Sequence, residues 1–589
     1  MRVLGVHCET HESSIALLED GEVTFAAAEE RYSRKKMDTA APVLAIRQCL
    51  AARGLRPSDL DVVAVSGFGP PRNWFGYASS FVRQKHFARW RDICSCRYMR
   101  QNREVQLRGV TAVLANAAFC TGLPQFAVLY LARMAQVKQE LSGFRGNYVY
   151  VPHHLGHAAG ACYSAGFPSA LSVVIEGYDW LHTLAIDRYD GGESQSIART
   201  PWPHSPGYFY MLATVMLGFN YLRHAGKITG LAAYGDPAAA YDKVKNLIWV
   251  EGMELRTSPL IFTLSQEYAL IGKIPQYFAG FSPADLAAAF QRRLEDVCVD
   301  VVTQAVTRTG SSRVVLSGGV AANVLLNKRI LAIPGVEELH VHPAMSDAGQ
   351  AFGAAAHAYC QATPGRPRSR KLEHVYLGEE YSDAAIAAAL RDSGVCFKRI
   401  DDIEAAVARL LAQRQVVARF NGRMEYGPRA LGNRSVLCHT GERDVNDWLN
   451  QRLQRTEFMP FAPSVLYEDR HEYLLDIDRA ENAAEFMAIA VDCTERMKRE
   501  CPAVVHLDGT ARPQLVRREV NASYHRILTE FKALTGVGVL LNTSFNMHEE
   551  PIVCSPADAI RAFQCGRLDH LAIGNYLVSG AEQSGAAAN

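Results

Sequence analysis

This 589-residue chain lacks most marks of an exported, membrane-spanning or nucleic-acid-coating protein. It has no apolar run of the roughly 18 residues that a membrane-spanning helix needs. Its first residues, Met1-Arg2-Val3-Leu4-Gly5-Val6, turn polar too early for a secretory signal. Charge of either sign is not in excess: 62 Lys and Arg against 61 Asp and Glu leave +1, so bulk electrostatics favours neither RNA nor a membrane surface. The 14 cysteines show no zinc-type spacing, and the closest pair is Cys94 and Cys96. Without an export signal they are expected to be reduced, mostly buried thiols in a cytoplasmic protein. The phosphate-loop pattern G-x-x-x-x-G-K-[ST] is absent too.

What is present is globular. Hydrophobic residues make up 48% and charged residues 21% of a chain too long for one core. The start reads as three strands, Arg2–Val6, Ser13–Leu18 and Glu22–Ala28, the last two flanking the hairpin pair Asp20-Gly21. A helix after Pro42 puts Val43, Ile46, Cys49 and Leu50 on one face, and Val62–Val65 is the next strand. A similar order recurs: strands Leu171–Ile175 and Thr183–Tyr189, a turn at Asp190-Gly191-Gly192, a long amphipathic helix Ala284–Val306 and a strand Arg313–Leu316. Helices are then expected at Asn323–Leu331 and Asp347–Tyr359. Two β-β-β-α-β-type lobes fit a duplicated α/β architecture with a cleft between them. Residues 67–150 read as a helical insertion rich in arginine and aromatics. Trp74, Phe75, Tyr77, Phe81, Phe87 and Trp90 there shape a pocket or fill a core; the basic residues also suit a solvated helical face. The stretch 361–372, with Pro364, Gly365 and Pro367, reads as a linker. The pattern restarts with Val375–Leu377, a helix from Asp402 and a strand Val416–Phe420.

Two segments of different design are suited to anions. Ser317-Gly318-Gly319-Val320-Ala321-Ala322-Asn323 follows the apolar run Val314-Val315-Leu316. Its backbone N–H groups can face a phosphate at a helix start, or simply make a tight strand-to-helix turn. Gly226-Lys227-Ile228-Thr229-Gly230 offers a lysine that neutralises a triphosphate or sits in a surface turn. The second segment, Asn421 to Ser435, carries Arg423, Arg429 and Arg434 among glycines. Arg452, Arg455, Arg512, Arg517 and Arg518 follow, and guanidinium forks match phosphate and carboxylate oxygens. His506 to Arg512 adds Thr510, and Leu540 to Asn546 adds Asn542 and Asn546, whose amides suit a carbamoyl group. Solvated arginines and turn asparagines are the alternative.

His153 and His157 lie four apart and share one face of a helix, a spacing for one metal or for packing and capping. Glu176 ends an apolar strand. Asp347 opens a helix, as a cleft-facing carboxylate or a plain N-cap. Two imidazoles with two carboxylates suit iron, manganese or zinc better than calcium.

In this order the residues resemble the O-carbamoyltransferase family of nodulation and antibiotic-biosynthesis enzymes. The resemblance covers almost the whole chain, from Leu4-Gly5, His11-Glu12-Ser13-Ser14 and Glu29 to Lys36, through to Leu541 to Asn546 and Glu550-Pro551-Ile552-Val553. Gly226–Gly235, Ser317–Asn327, Gly422–Ser435 and His506–Gln514 are its most specific stretches. It implies a duplicated RNase H-like domain of the actin/Hsp70/sugar-kinase type over residues 1–360, and a YrdC-like α/β domain over 373–589. It implies that carbamoyl phosphate is cleaved in the C-terminal domain and that the carbamate passes internally to the N-terminal cleft. There ATP adenylates it, and a hydroxyl of a small-molecule natural product takes the carbamoyl group. The implied metal ligands are His153, His157, Glu176 and Asp347, holding Fe(II) or else Mn or Zn, with Mg accompanying ATP. Lys227, Gly230, Gly318, Gly319 and Asn323 are the expected nucleotide residues. Arg429, Asn433, Arg455, Thr510, Arg512, Asn542 and Asn546 are the expected carbamoyl phosphate residues, and His11 is the expected base. No nucleic-acid or membrane partner is expected, and a homodimer is in keeping with the family.

Some positions depart from the pattern. The family usually has aspartate where Glu12 and Glu176 stand. It has a lysine near Leu453–Gln454 and an arginine at Met459; here Arg452 substitutes, or carbamoyl phosphate is held more weakly. Met37 stands where a histidine is frequent, which points to an apolar or unusual acceptor. A tRNA threonylcarbamoyl transferase shares the first domain type, though the near-neutral charge opposes RNA binding. The missing lysine and arginine also suit a non-catalytic nucleotide-binding homologue.

Overall fold

The computed structural model describes residues 1–67, 123–177, 182–191, 193–202, 204–258, 261, 276–365, 368–454 and 461–580. In the first half, β1 (Arg2–His7), β2 (Ser14–Glu19) and β3 (Glu22–Ala28) form an antiparallel meander. β4 (Val62–Ser66) and β5 (Asn147–Val151) extend it in parallel, giving the order β3-β2-β1-β4-β5. The same plan follows with β6 (Ser169–Ile175), β7 (His182–Asp190) and β8 (Glu193–Pro201). After a short hairpin, β9 (Ile248–Glu251) and β10 (Glu254–Thr257), come β11 (Arg313–Ser317) and β12 (Glu338–Val341). They run parallel to β6, in the order β12-β11-β6-β7-β8. The two sheets repeat one RNase H-like arrangement, an antiparallel meander extended by two parallel strands. β1 and β4 are buried along almost their whole length, as parallel strands covered on both faces are. Asp20 and Gly21, at φ +51° and +83°, close the β2–β3 hairpin with the twist such turns require.

The second half is built on one mixed eight-stranded sheet. At its centre Val417–Phe420 runs parallel to His570–Ile573 and antiparallel to Arg434–Cys438, which pairs in turn with Val539–Ser544. Ala462–Leu466 and Gln514–Val516 complete the edge nearest the asparagine-rich segment.

Two expectations need correction. Asn147–Val151, inside the expected helical insertion, is a strand of the first sheet, because its alternating Tyr and Val side chains fit a pleat. Leu123–Glu140 is a helix, while 68–122, with the aromatic residues singled out above, lie outside the described residues. Val375–Leu377 is not a strand; it makes one bridge, Tyr376 to Glu425, and Leu377 O accepts a hydrogen bond from Ala26 N of β3. The end of the expected linker is tied to the helix His153–Ala165. The backbone N–H groups of Arg370 and Leu372 donate to Tyr163 O and Ser164 O at 2.7 and 2.9 Å.

Polar contacts join the halves. Arg34 donates to Pro551 O and Ile552 O, both at 2.8 Å, and Arg31 donates to Gly427 O at 2.8 Å. The buried Asn327 amide donates to Ala321 O and Ala488 O. Three core clusters hold residues of both halves, so packing as well as hydrogen bonding spans the boundary.

Candidate functional site

The helix His153–Ala165 starts directly after β5 and carries His153 and His157 one turn apart. It crosses the alanine-rich helix Gln350–Ala362 at a backbone-to-backbone contact. A Cβ on Gly353 would lie 1.8 Å from Gly156 O, so glycine is required there. This close crossing delivers Asp347, on the turn preceding the second helix, to the two imidazoles. His153 Nε2 and His157 Nε2 stand 3.5 and 3.4 Å from Asp347 Oδ1. Glu176, just past β6, reaches 2.9 Å from His157 Nε2. One ligand atom from each of the four residues lies within 4.8 Å of the other three, and all four residues are buried. His157 Nε2 is buried and faces both carboxylates. Two imidazoles and two carboxylates around one point fit a divalent transition-metal ion. Glu176, although longer than the aspartate expected there, meets the same centre.

The loop after β1 adds residues that pattern reading missed. Glu9 is buried, with Oε2 3.3 Å from His153 Nδ1. Thr10 Oγ1 donates to Asp347 Oδ2 and lies 3.2 Å from His7 Nε2. Their signal was a dense polar run, His7 to Glu12, at the end of the first strand. His11 Nδ1 lies 3.9 Å from Asp347 Oδ2 and 3.6 Å from Glu12 Oε2. Burial opposes charge on His11, but Asp347 and Glu12 outweigh it and raise the ring to about 9. Burial alone dominates at His7, which falls to about 3. Asp347 is buried, yet the surrounding histidines hold its carboxyl well below the usual range.

Among the expected nucleotide residues, Gly319 and Asn323 are held by buried hydrogen bonds. Gly318, at φ +95°, would place a Cβ 2.3 Å from Ile175 O, so the turn demands glycine. Gly319 N–H donates to Glu176 Oε1 at 2.6 Å, tying the turn to the metal cluster. Lys227 and Gly230 lie buried in the helix Ala225–Ala232, which removes the surface-turn alternative. Lys227 Nζ sits 5.7 Å from the Phe219 ring centroid. Thr229 beside it bonds Tyr210 Oη, which donates to Gln291 Oε1; Gln291 exchanges hydrogen bonds with Asn323. Asn323 also caps the helix Val324–Leu331 by accepting from Leu326 N.

In the C-terminal half the arginines divide by task. Arg434 is fully buried, stacks 3.7 Å from the Phe420 centroid and donates to Asn421 O, Gly422 O and Asn433 O. Arg423 donates to Thr24 O, Leu377 O and Gly378 O. Both are framework residues, not anion ligands. Among the described residues, Nε of both Arg429 and Arg434 is buried with no hydrogen-bond partner, but Arg429 differs in having no backbone carbonyl on its other nitrogens, and burial alone pulls its guanidinium down to about 10. Such a group awaits an anion. Arg452 lies over the Trp448 ring and donates to Arg567 O, so it does not substitute for the missing lysine. Arg517 pairs with Glu481 and Glu485. Arg455 lies outside the described residues.

The expected amides are largely engaged. Asn433 donates to Arg423 O and accepts from Arg419 and Asn521; Asn546 donates to Met547 O and Glu550 O. Asn542 Nδ2 donates to Ser464 Oγ and Gln514 Oε1, but its Oδ1 is buried without a partner. Thr510 Oγ1 donates to Asp508 and lies 3.3 Å from His506, whose ring burial, with a smaller push from Arg512, keeps neutral. Glu425, unnoticed in the sequence, shapes the loop: its buried Oε1 accepts the N–H groups of Leu431, Asn433 and Arg434.

The Carbamoyltransferase N-terminus family model matches residues 2–356, and the Carbamoyltransferase C-terminus model matches residues 408–580. The chain belongs to the carbamoyltransferase family. It is a transferase, which sets aside the non-catalytic alternative. Nodulation protein NolNO of Sinorhizobium fredii is 32% identical over 96% of this chain and 79% of its own length. Nodulation protein NolO of Bradyrhizobium diazoefficiens is 34% identical over 72% of this chain and 78% of its own. An uncharacterized Synechocystis protein, sll1178, is 28% identical over 98% of this chain and 96% of its own. No helix among the described residues of this carbamoyltransferase is long and apolar enough to cross a membrane.

Proposed function

We propose that this carbamoyltransferase is an ATP-dependent O-carbamoyltransferase whose two halves, divided near 361–372, act in series. The C-terminal, YrdC-like half takes carbamoyl phosphate, with Arg429 and Arg512 facing its oxygens and Asn542 Oδ1 accepting from its amide N–H. Water cleaves it to carbamate and orthophosphate. The carbamate moves to the first half, where its oxygen attacks the α-phosphorus of ATP and pyrophosphate leaves. A hydroxyl of a small-molecule acceptor then attacks the carbamoyl carbon, and AMP leaves. Lys227 and the Gly318–Asn323 turn hold the triphosphate. A divalent metal bound by His153, His157, Glu176 and Asp347 supplies charge that steadies the phosphate oxygens. His11, beside that centre, takes the acceptor proton; with Asp347 engaged by a cation, the charge that raises His11 is neutralised.

One observation carries this reading. The Gly427 turn of the C-terminal anion loop lies against Pro343, its absent Cβ only 2.9 Å from Pro343 O, four residues before Asp347. The C-terminal anion loop therefore abuts the loop that leads to Asp347, to which the Gly318 turn is tied by Gly318 N–H donating to Met345 O at 2.7 Å, and an intermediate short-lived in water has little distance to travel. The test is exchange of labelled pyrophosphate into ATP by the full chain. Exchange that requires both carbamoyl phosphate and a divalent metal is expected; its absence under all metal conditions overturns the proposal.

A further inference from the structure

A buried hydrogen-bond chain crosses from the metal-bearing half to the C-terminal half. His340 Nε2 lies 2.9 Å from Ser164 Oγ, which lies 3.0 Å from His342 Nδ1; His342 Nε2 lies 3.1 Å from Tyr426 Oη. Ser164 belongs to the histidine helix, His342 begins the loop that ends at Asp347, and Tyr426 immediately precedes Gly427. All four side chains are buried. Burial drives His340 down to about 3 and His342 well below the ordinary range, so both rings are neutral. A neutral imidazole donates once and accepts once, so His342 is satisfied only while both its partners are in place.

The surroundings leave this link little play. A Cβ on Gly349 would lie 2.9 Å from His342 Cδ2, and the His342 and Phe352 rings stand 5.1 Å apart. On the other side, Arg31 holds Gly427 O at 2.8 Å while Pro343 O blocks the Gly427 Cβ position at 2.9 Å. A phenylalanine would fill the Tyr426 ring space equally well. The hydroxyl is what reaches His342.

Resting on the function proposed above, we infer that Tyr426 is a positioning residue. Its hydroxyl, through His342, keeps the C-terminal anion loop in register with the Pro343–Asp347 loop, so that carbamate crosses without meeting solvent. Carbamate that escapes takes up a proton and splits to ammonia and carbon dioxide. Loss of register therefore wastes carbamoyl phosphate rather than stopping its cleavage.

The test is Tyr426→Phe in the full metal-loaded chain, given carbamoyl phosphate and magnesium ATP and quenched within one turnover. The wild type is expected to release equal amounts of orthophosphate and pyrophosphate. The variant is expected to raise the ratio of orthophosphate to pyrophosphate roughly 3-fold or more, the scale of one lost buried hydrogen bond, with ammonia rising in step. His342→Gln approaches the link from the other side and is expected to raise the same ratio, with the double variant no worse than the stronger single one. An unchanged ratio in both single variants overturns the inference while leaving the proposed function intact. A wild type that releases no orthophosphate from carbamoyl phosphate overturns the function, and this inference with it.

Discussion

Glu9 Oε2 stands 3.3 Å from Nδ1 of His153, and the other nitrogen of that ring stands 3.5 Å from Asp347 Oδ1. A buried carboxylate behind a ligating imidazole fixes the ring's tautomer and direction.

Glu9→Gln keeps the side-chain length and removes the charge. Metal affinity is expected to fall about 10- to 100-fold. Competition against a chelating dye measures it; unchanged affinity would show that His153 is oriented by packing alone.

Arg429→Ala removes the buried, unpartnered guanidinium of the C-terminal loop. The KM for carbamoyl phosphate is expected to rise about 10-fold or more, on the scale of a charge-assisted hydrogen bond. ATP affinity, measured calorimetrically, is expected to hold. An equal loss at both substrates would mean that Arg429 supports the fold instead.

Gly353→Ala forces a methyl into the crossing of the two metal-bearing helices, 1.8 Å from Gly156 O. Overpacking of this kind costs about 1–3 kcal/mol, more than the helix-propensity gain of alanine. Urea unfolding is expected to show the loss, and metal retention to fall with it, because the same crossing sets Asp347 against His153 and His157.

Glu549 joins the halves through His224, 2.7 Å away, and Arg223, 2.8 Å away. Burial opposes its charge, but hydrogen bonds from His224 and Arg223 prevail and bring the carboxyl from 4.5 to about 2. A depressed carboxylate stabilises the fold fully above 4.5 and loses that contribution as pH falls toward 2. The stability gap between wild type and Glu549→Gln is therefore expected to narrow between pH 5 and pH 3 in urea titrations. A constant gap across that range would argue against the linkage.

Much of the fold was legible in the sequence because it rests on local periodicity. The apolar run in Arg2–His7, the Asp20-Gly21 turn and the long apolar stripe of Pro283–Thr309 each declare one element. The four-residue spacing of His153 and His157 put both on one helical face, and Glu176 and Asp347 stood where strand ends and helix starts converge. Asn147–Val151 escaped because its strand character depends on pairing with Val62–Ser66, far away in sequence.

Residue chemistry and spacing alone settled which side chains are fit to bind a metal or an anion. Which of them are free to do so was decided by tertiary structure, because a hydrogen bond already made to the protein removes a group from ligand binding. Arg429 and Arg434 share one loop and one chemistry, yet the terminal nitrogens of Arg434 are spent on backbone carbonyls and those of Arg429 are not. Glu9, Glu425 and Tyr426 gain their roles only from partners brought close by the fold, and no spacing along the chain announces such a contact.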